Sequence, residues 1–552
     1  MTSAKPNPLL RWMPSLTDLA FLTPLVFIFA KLDGIRTLLG DGDTGWHIRI
    51  GEWILAHGRV PRSDIFSFSM PNAPFYAWEW LWDMTFAWLH QHGGLALVVL
   101  VSMTLLSLTF ALLFRLVLRK CGNRLIAIAV TMLATAASSI HWLARPHLVT
   151  FLFVVLFLDR LERVRESETS WRSLAWLPLL MVVWTNLHGG FFVGLLLLAC
   201  YAAGEALSGL VEGKGIPRKA VWLAGAFMAC ALATLLNPYF YQLHLHLVQY
   251  FRESYHLEAI SEFQSMSFHD TMARYFEVMM LLAAVAAFWN LTRKRFYAVF
   301  LLIGWIHLAL IAGRNIAIFS LVAAPLVAEA LEHFVAALPG RVDLAEWLRG
   351  AARGFQSYAA EIGEVDAMPR AHVICGLALA VMAAVAYAPA PPALFRSDYD
   401  PKRYPAAAIE HLRGGEFSHS VFTQDEWGDY MIYRMYPATK VFVDGRSDFY
   451  GEKFGRKYLD VLNVKYDWER TLLDYGIDTI LMPPDAALTG ALKESPRWCL
   501  VYDDQVALIF RYRMGAFCAA SDATSFAAAR GEKGVIARSH DSERVVIGET
   551  QQ

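Results

Sequence analysis

The sequence predicts a mainly α-helical protein, a polytopic transmembrane bundle of about eleven spans with a small C-terminal α/β extracytoplasmic domain. Three observations lead to this class. Hydrophobic residues make up 56% of the 552-residue chain and charged residues only 18%, whereas a soluble domain averages about 25% charged. The missing charge is concentrated in repeated apolar runs, each long enough to approach the ~20 residues of helix that cross a ~30 Å hydrocarbon core. Basic residues cluster in every second connection, the pattern of cytoplasmic loops.

The expected spans are 15–32, 94–118, 124–141, 147–161, 172–187, 189–210, 219–236, 274–291, 296–312, 315–335 and 371–389. No small-residue cleavage site follows the first run, which reads as a retained span. Arg115, Arg119, Lys120 and Arg124 follow the second span, and Arg160, Arg163, Arg165 and Arg172 follow the fourth. Lys214, Arg218 and Lys219 come after the sixth, and Arg293, Lys294 and Arg295 after the eighth. These clusters place the N-terminus in the cytoplasm and the C-terminal region outside, in a multi-pass protein of the cytoplasmic (inner) membrane.

The first domain then covers 1–390. It includes a long first outer loop, 33–93, with amphipathic helices, and a cytoplasmic interfacial segment, 336–370, where Trp347, Leu348 and Phe355 alternate with charges. Residues 391–520 form a soluble extracytoplasmic α/β domain in the periplasm, with strand-like runs at Lys440–Val443 and Thr479–Met482 and a helix-like run at Pro405–Arg413. The tail 521–552 lacks apolar periodicity and is expected to be disordered. The six cysteines show no metal-ligand spacing. Cys499 and Cys518 can pair if their region lies outside the cytoplasm. A net charge of −1 leaves no basic footprint for nucleic acid. There is no phosphate-binding loop, dinucleotide fingerprint, nucleophile elbow or zinc motif.

The residues suited to chemistry gather in the connections assigned to the outer face. Asp41-Gly42-Asp43-Thr44-Gly45-Trp46-His47 reads as a flexible acidic turn beside the first span. Its two carboxylates can take a proton from an acceptor as general base, or hold a divalent cation, magnesium or manganese, against a departing phosphate. The plainer alternative is a turn that caps the following helix. Trp78-Glu79-Trp80-Leu81-Trp82-Asp83 places an acid among belt tryptophans, where partial desolvation raises its pKa. Arg145-Pro146-His147 and Arg314-Asn315 put guanidinium groups at the outer ends of spans. Arg145, Arg314 and His147 are therefore the candidates for binding the donor phosphate. Pairing with Asp41 or Glu79, or snorkelling to headgroups, explains the arginines equally well. Asn186, His188, Asn237 and Asn315 can bind substrate or satisfy helix ends. Trp427-Gly428-Asp429-Tyr430 adds Trp427 and Asp429 as substrate-binding candidates, and Asp444-Gly445 reads as an ordinary turn.

The alternating topology, the acidic first outer loop and the soluble outer tail resemble GT-C class glycosyltransferases. That class includes protein O-mannosyltransferases, aminoarabinose transferases and oligosaccharyltransferase catalytic subunits. The Asp41–His47 motif followed by Trp78-Glu79-Trp80 looks most like a set of bacterial GT-C-like membrane proteins. The resemblance implies a GT-C-like fold, a polyprenyl-phosphate-linked sugar donor, inversion at the anomeric carbon, and an acid of the first outer loop as base or metal ligand. By position Asp41 and Asp43 take that role, with Glu79 as a further catalytic candidate. Where mannosyltransferases carry His-Pro-Pro, this chain reads Trp-Glu-Trp. Trp427-Gly428-Asp429-Tyr430 is similar to the Trp-Trp-Asp-Tyr-Gly acceptor motif of oligosaccharyltransferases, in a different order. The expected partners are the bilayer, the lipid-linked donor and a glycan, lipid or protein acceptor. Two other readings compete: a transporter or flippase for lipid-linked sugars, and a non-catalytic component of an envelope polysaccharide assembly machine.

Overall fold

A computed structural model describes residues 11–414 and 420–513, the side chains of residues 254, 256 and 257 excepted. Cys518 and the tail from 521 lie outside these residues, so the disulfide and disorder expectations fall outside them as well. The helices run α1 Leu16–Lys31, α2 Asp43–His57, α3 Trp80–Cys121, α4 Arg124–Ser138, α5 His147–Arg165, α6 Trp176–Leu187, α7 Phe192–Val211 and α8 Arg218–Ala233. They continue with α9 Gln242–Arg252, α10 Ser254–Ala259, α11 Ala273–Thr292, α12 Phe296–Ile311, α13 Asn315–Ala337, α14 Glu346–Asp366 and α15 Val373–Ala386. Each expected span coincides with one of these helices, and the fold is a polytopic helical membrane bundle.

Local chemistry sets several boundaries. Ser15 and Asp18 form a reciprocal capping box at the start of α1, which satisfies two of the N–H groups a helix start leaves open. Asn123 caps α4 through its side-chain oxygen. In α3, Gly94 adopts φ 62°, a left-handed conformation that glycine reaches without steric cost. This break separates an amphipathic first stretch from the spanning remainder. Five helical segments among the described residues are long and apolar enough to cross a membrane: Trp80–Cys121, Arg124–His141, Gly189–Val211, Ala273–Thr292 and Asn315–Gly340. Two shorter apolar helices are Phe296–Ile311 and Val373–Ala386. The centre of the bundle is built on α3 and α13, which pack against each other and against α4 and α5. Phe110, Phe114 and Phe319 are fully buried there.

The chain divides into two compact units, and the division does not follow the 390/391 boundary of the sequence reading. The first unit is 1–404 with 424–459, and the second is 405–423 with 460 onward. The first unit therefore includes α17 Asp425–Met435 and the segment after it. Lys440–Val443 is not a strand of the sheet. Val441 instead bridges to Ser67 of the first outer loop, with Phe68 N–H donating to the Val441 carbonyl at 3.0 Å and Val441 N–H to the Phe66 carbonyl at 2.9 Å. An apolar run of this length needs only one extended partner, and the first outer loop supplies it.

In the second unit, α16 Ala406–Gly414 and Thr479–Met482 follow the sequence expectation. The four strands are β1 Val421–Phe422, β2 Thr479–Met482, β3 Trp498–Asp503 and β4 Leu508–Tyr512, in the order β1-β2-β4-β3. The first pair is parallel and the others antiparallel.

Candidate active site

The Asp41–His47 motif is not a flexible turn. Gly42 caps α2 at φ −74°, and neither Gly42 nor Gly45 has a positive φ. What these positions require is closeness. A Cβ on Gly42 would strike the Glu426 carbonyl and the Asp429 side chain, and one on Gly45 would strike Tyr433. The two glycines let α17 lie directly against the start of α2 and bring Asp429 beside Asp43. Asp41 accepts the Asp43 N–H at 3.1 Å and so also serves the helix start.

Arg145 lies at the centre of the acids. Its Nη1 contacts Asp41 Oδ2 at 2.7 Å and Glu262 Oε1 at 2.7 Å, and its Nη2 contacts Asp43 Oδ2 at 2.6 Å. Burial pushes the Asp41 carboxyl up to about 7 against the pull of Arg145. It also raises Asp43. Asp429 shares a hydrogen bond with Asp43, and burial with the neighbouring Asp43 charge pushes Asp429 well up. Asp429 Oδ1 also accepts the Gly445 N–H at 2.8 Å. For Glu262, burial works upward, but Arg145, His141 and Arg314 outweigh it and hold the carboxyl at about 2.

Glu79 stands in a second, less charged pocket of the same cavity. His47 Nδ1 is 2.6 Å from Asp83 Oδ1, and its Nε2 is 3.7 Å from Glu79 Oε2. On the other side His188 Nε2 lies 3.6 Å from Glu79 Oε1. His188 Nδ1 receives the Gly190 N–H at 3.1 Å and lies 2.7 Å from the Thr150 hydroxyl. Nδ1 is therefore the acceptor, and in the neutral ring Nε2 carries the hydrogen toward Glu79. Burial pushes Glu79 up to about 8, which favours its protonated form near pH 7. Burial keeps His47 and His188 well below the usual imidazole range, helped by Arg145 at His47 and by Arg314 and then Arg145 at His188.

Arg314 completes the set. Its guanidinium sits over the Phe263 ring, 4.6 Å from the centroid; among the described residues it makes no ion pair within 4.0 Å, though its charge helps hold the Glu262 carboxyl down. A cavity of about 600 Å³ joins Asp41, Asp43, Glu79, Arg145, His147, His188, Arg314, Asn315 and Asp429, all in the first unit. Phe151, Phe192, Leu247, Trp305, Leu308 and Ile318 form its apolar side.

Other candidates stand apart. Asn186 accepts from Trp80 Nε1 at 2.7 Å and donates to the Val182 and Leu236 carbonyls. Asn237 closes its own turn through Thr234, Phe240 and Tyr239. Trp427 is buried and donates to the Arg403 carbonyl at 3.0 Å. None of these three lines the cavity. His147 is a wall residue whose Nε2 meets the His141 carbonyl at 2.9 Å, and Asn315 donates to the Leu308 carbonyl at 3.0 Å. Arg145 is committed to carboxylates instead of standing free for phosphate. The turn at Asp444 is more than a turn: Asp444 and Asp64 enclose the buried Arg446 at 2.7 and 2.8 Å.

Glu262 and the His47–Asp83 pair went unread in the sequence. No local spacing marks Glu262, whose partner lies 117 residues away. His47 sits in the motif, but its partner is 36 residues on. As a divalent-metal site the acids fit poorly. Asp41, Asp43 and Glu262 surround a guanidinium, and among the described residues no group of three or more His, Cys, Asp or Glu could hold a metal ion.

The bundle and its sheet-bearing C-terminal region define a GT-C-like fold. No family model matches the sequence, and no curated protein matches it significantly. Among solved structures, the apo oligosaccharyltransferase of Archaeoglobus fulgidus aligns with a TM-score of 0.50 at 12% identity, over 92% of this chain and 75% of that one. The same enzyme tethered with an acceptor peptide containing the NVT sequon gives 0.51 at 12% identity, over 90% and 74%. ArnT from Cupriavidus metallidurans in the apo state gives 0.45 at 15% identity, over 90% and 96%.

Proposed function

We propose that the protein is a membrane glycosyltransferase that moves a sugar from a polyprenyl-phosphate carrier to an acceptor at the outer face of the cytoplasmic membrane. The observation that supports this most is the company kept by Arg314. A guanidinium with no ion pair inside 4.0 Å among the described residues shares one cavity with a cluster of acids and an apolar wall. An anionic headgroup attached to a hydrocarbon chain and a sugar matches those three surfaces. The basic residues of the connections at the other end of the bundle support a cytoplasmic location for that end, and with it an outward-facing cavity.

In this reading Asp43 takes the proton of the acceptor hydroxyl as its oxygen attacks the anomeric carbon. The bond from that carbon to the phosphate oxygen breaks on the opposite side, and its electron pair leaves with the phosphate. Arg314 meets the charge that develops there. Glu79, its protonated form favoured near pH 7, donates a hydrogen bond to the departing oxygen. Asp429 holds Asp43 in place. No step passes through a metal ion.

The test is transfer by the purified full chain in liposomes carrying polyprenyl-phosphate-linked sugar. Asp43→Asn keeps the shape of the side chain and removes the base. It should lower turnover by about 10²–10⁴-fold while the melting midpoint stays put. Wild-type turnover in that variant would remove the assignment.

A further inference from the structure

We infer that Arg145 is a tethered cation that occupies the place where a divalent metal ion would otherwise balance the acids of the cavity. This rests on the site of the preceding reading but not on the reaction assigned to it.

Three carboxylates from two stretches of chain reach one guanidinium. Asp41 precedes α2, Asp43 begins it, and Glu262 stands in the short 3-10 turn Ser261–Phe263. All three lie 2.6–2.7 Å from Arg145 nitrogens. Oxygen ligands of magnesium or calcium would have to converge within about 2.0–2.6 Å of a single point. Here the oxygens are spread along the edges of a planar fork with five N–H donors, a shape that a point charge does not have. The charge is also permanent, because a guanidinium does not deprotonate in a protein.

The backbone that presents Arg145 is itself pinned to the first outer loop. Ala144 N–H donates to the Leu38 carbonyl at 2.7 Å, and Thr44 Oγ1 donates to the Ala144 carbonyl at 3.0 Å. Pro146 then opens α5. The cation is thus built in with the same loop that carries Asp41 and Asp43. Removing its charge leaves Asp41, Asp43 and Glu262 with no cation between them, and once the guanidinium no longer holds them apart the three carboxylates can close on a divalent ion.

Manganese binding by the full chain in detergent, followed by electron paramagnetic resonance, tests this directly. Wild type should bind no manganese in the cavity at millimolar concentration. Arg145→Ala should bind one ion at least ~10-fold more tightly, and millimolar guanidinium should displace it. Arg145→Gln is near in size and neutral, and it serves if the alanine variant does not fold. Adding Glu262→Ala to either variant should abolish the gained signal. Transfer by wild type should survive chelation, and the activity lost in Arg145→Ala should return with guanidinium. Manganese held by wild type as tightly as by the variants would overturn the inference. So would a folded Arg145→Gln that takes up no manganese, or wild-type transfer that chelation abolishes. A failure of transfer alone, with manganese behaving as stated, would count against the glycosyltransferase reading instead.

Discussion

The first unit holds two buried charge clusters at opposite ends of the same helices, and they are built differently. One end of α5 carries Arg145 and His147 into the cavity. The other end, roughly 27 Å away at about 1.5 Å per residue, carries Glu162 and Arg165 into a clamp. There Lys120 of α3 meets Glu162 at 2.9 Å, Glu166 at 2.5 Å and Glu329 of α13 at 3.4 Å. Arg165 meets Glu162 at 3.0 Å, Arg295 meets Glu329 at 2.8 Å, and the Tyr201 hydroxyl donates to Glu162 at 2.5 Å. In the clamp each of these acids has a cation or a hydroxyl, and the helix ends are tied together. In the cavity Asp41, Asp43 and Glu262 share one guanidinium, burial favours the protonated form of Glu79, and Arg314 makes no ion pair within 4.0 Å among the described residues, acting on Glu262 only from a distance. Burial of charge alone therefore does not mark a site. A cluster whose charges are all paired holds helices together, whereas a cavity that leaves an arginine outside any close ion pair offers that guanidinium to an anionic ligand.

Substitutions can break this contrast from either side. The largest effect belongs to the cavity, where Asp43→Asn is expected to cost about 10²–10⁴-fold in turnover with little change in stability. In the clamp, Glu162→Ala should do the reverse. It leaves Lys120 with Glu166 and Glu329 and Arg165 with Glu166, and should cost about 1.5–3 kcal/mol of stability, read in a denaturation midpoint, while each folded molecule keeps its activity. Removing both charges, as Glu162→Gln with Lys120→Met, should recover about 0.5–3 kcal/mol relative to the sum of the single changes, because neither charge is then stranded. A double variant no better than that sum would show that the clamp does not act as a unit.

The smallest effect is in the pH profile. Glu79 is protonated below about 8 and ionised above it, so activity that needs its hydrogen should fall as pH rises through that value. The groups facing it are Asp83 on its own helix, His47 and Asp43 on α2, Arg145 before α5, His188 before α7, and Asp448. Glu79→Gln keeps an N–H donor at every pH and should flatten the alkaline limb, with turnover at neutral pH reduced. An unchanged limb would move that titration to another group.

What the sequence disclosed and what it hid divide along the same physical line. Apolar length and period are local properties, and every expected span from 15–32 to 371–389 is a helix. The acid motif at Asp41–His47 is also local, and it led to the cavity. Its glycines were misread as sources of flexibility because the helix that presses on them lies nearly 400 residues further along the chain. The basic residues Lys120, Arg165 and Arg295 were legible as markers of one membrane face, but not as members of an ion network, since Glu329 belongs to a different helix. Glu262 was missed for the same reason. Val441 looked like a sheet strand because an extended apolar run does not declare its partner, and the partner is the first outer loop.

The central claim is that Arg314 is the cation kept free for a lipid-borne phosphate. Binding of a polyprenyl phosphate to the detergent-solubilised full chain measures it without any knowledge of the sugar. The account predicts saturable binding by wild type, binding weakened by about 10–100-fold in Arg314→Ala, as expected when a charged hydrogen bond worth about 1.5–3 kcal/mol is lost, and no comparable binding of the phosphate-free polyprenol. Equal affinity of wild type and Arg314→Ala for the phosphate lipid, or equal affinity of wild type for the alcohol, would contradict it.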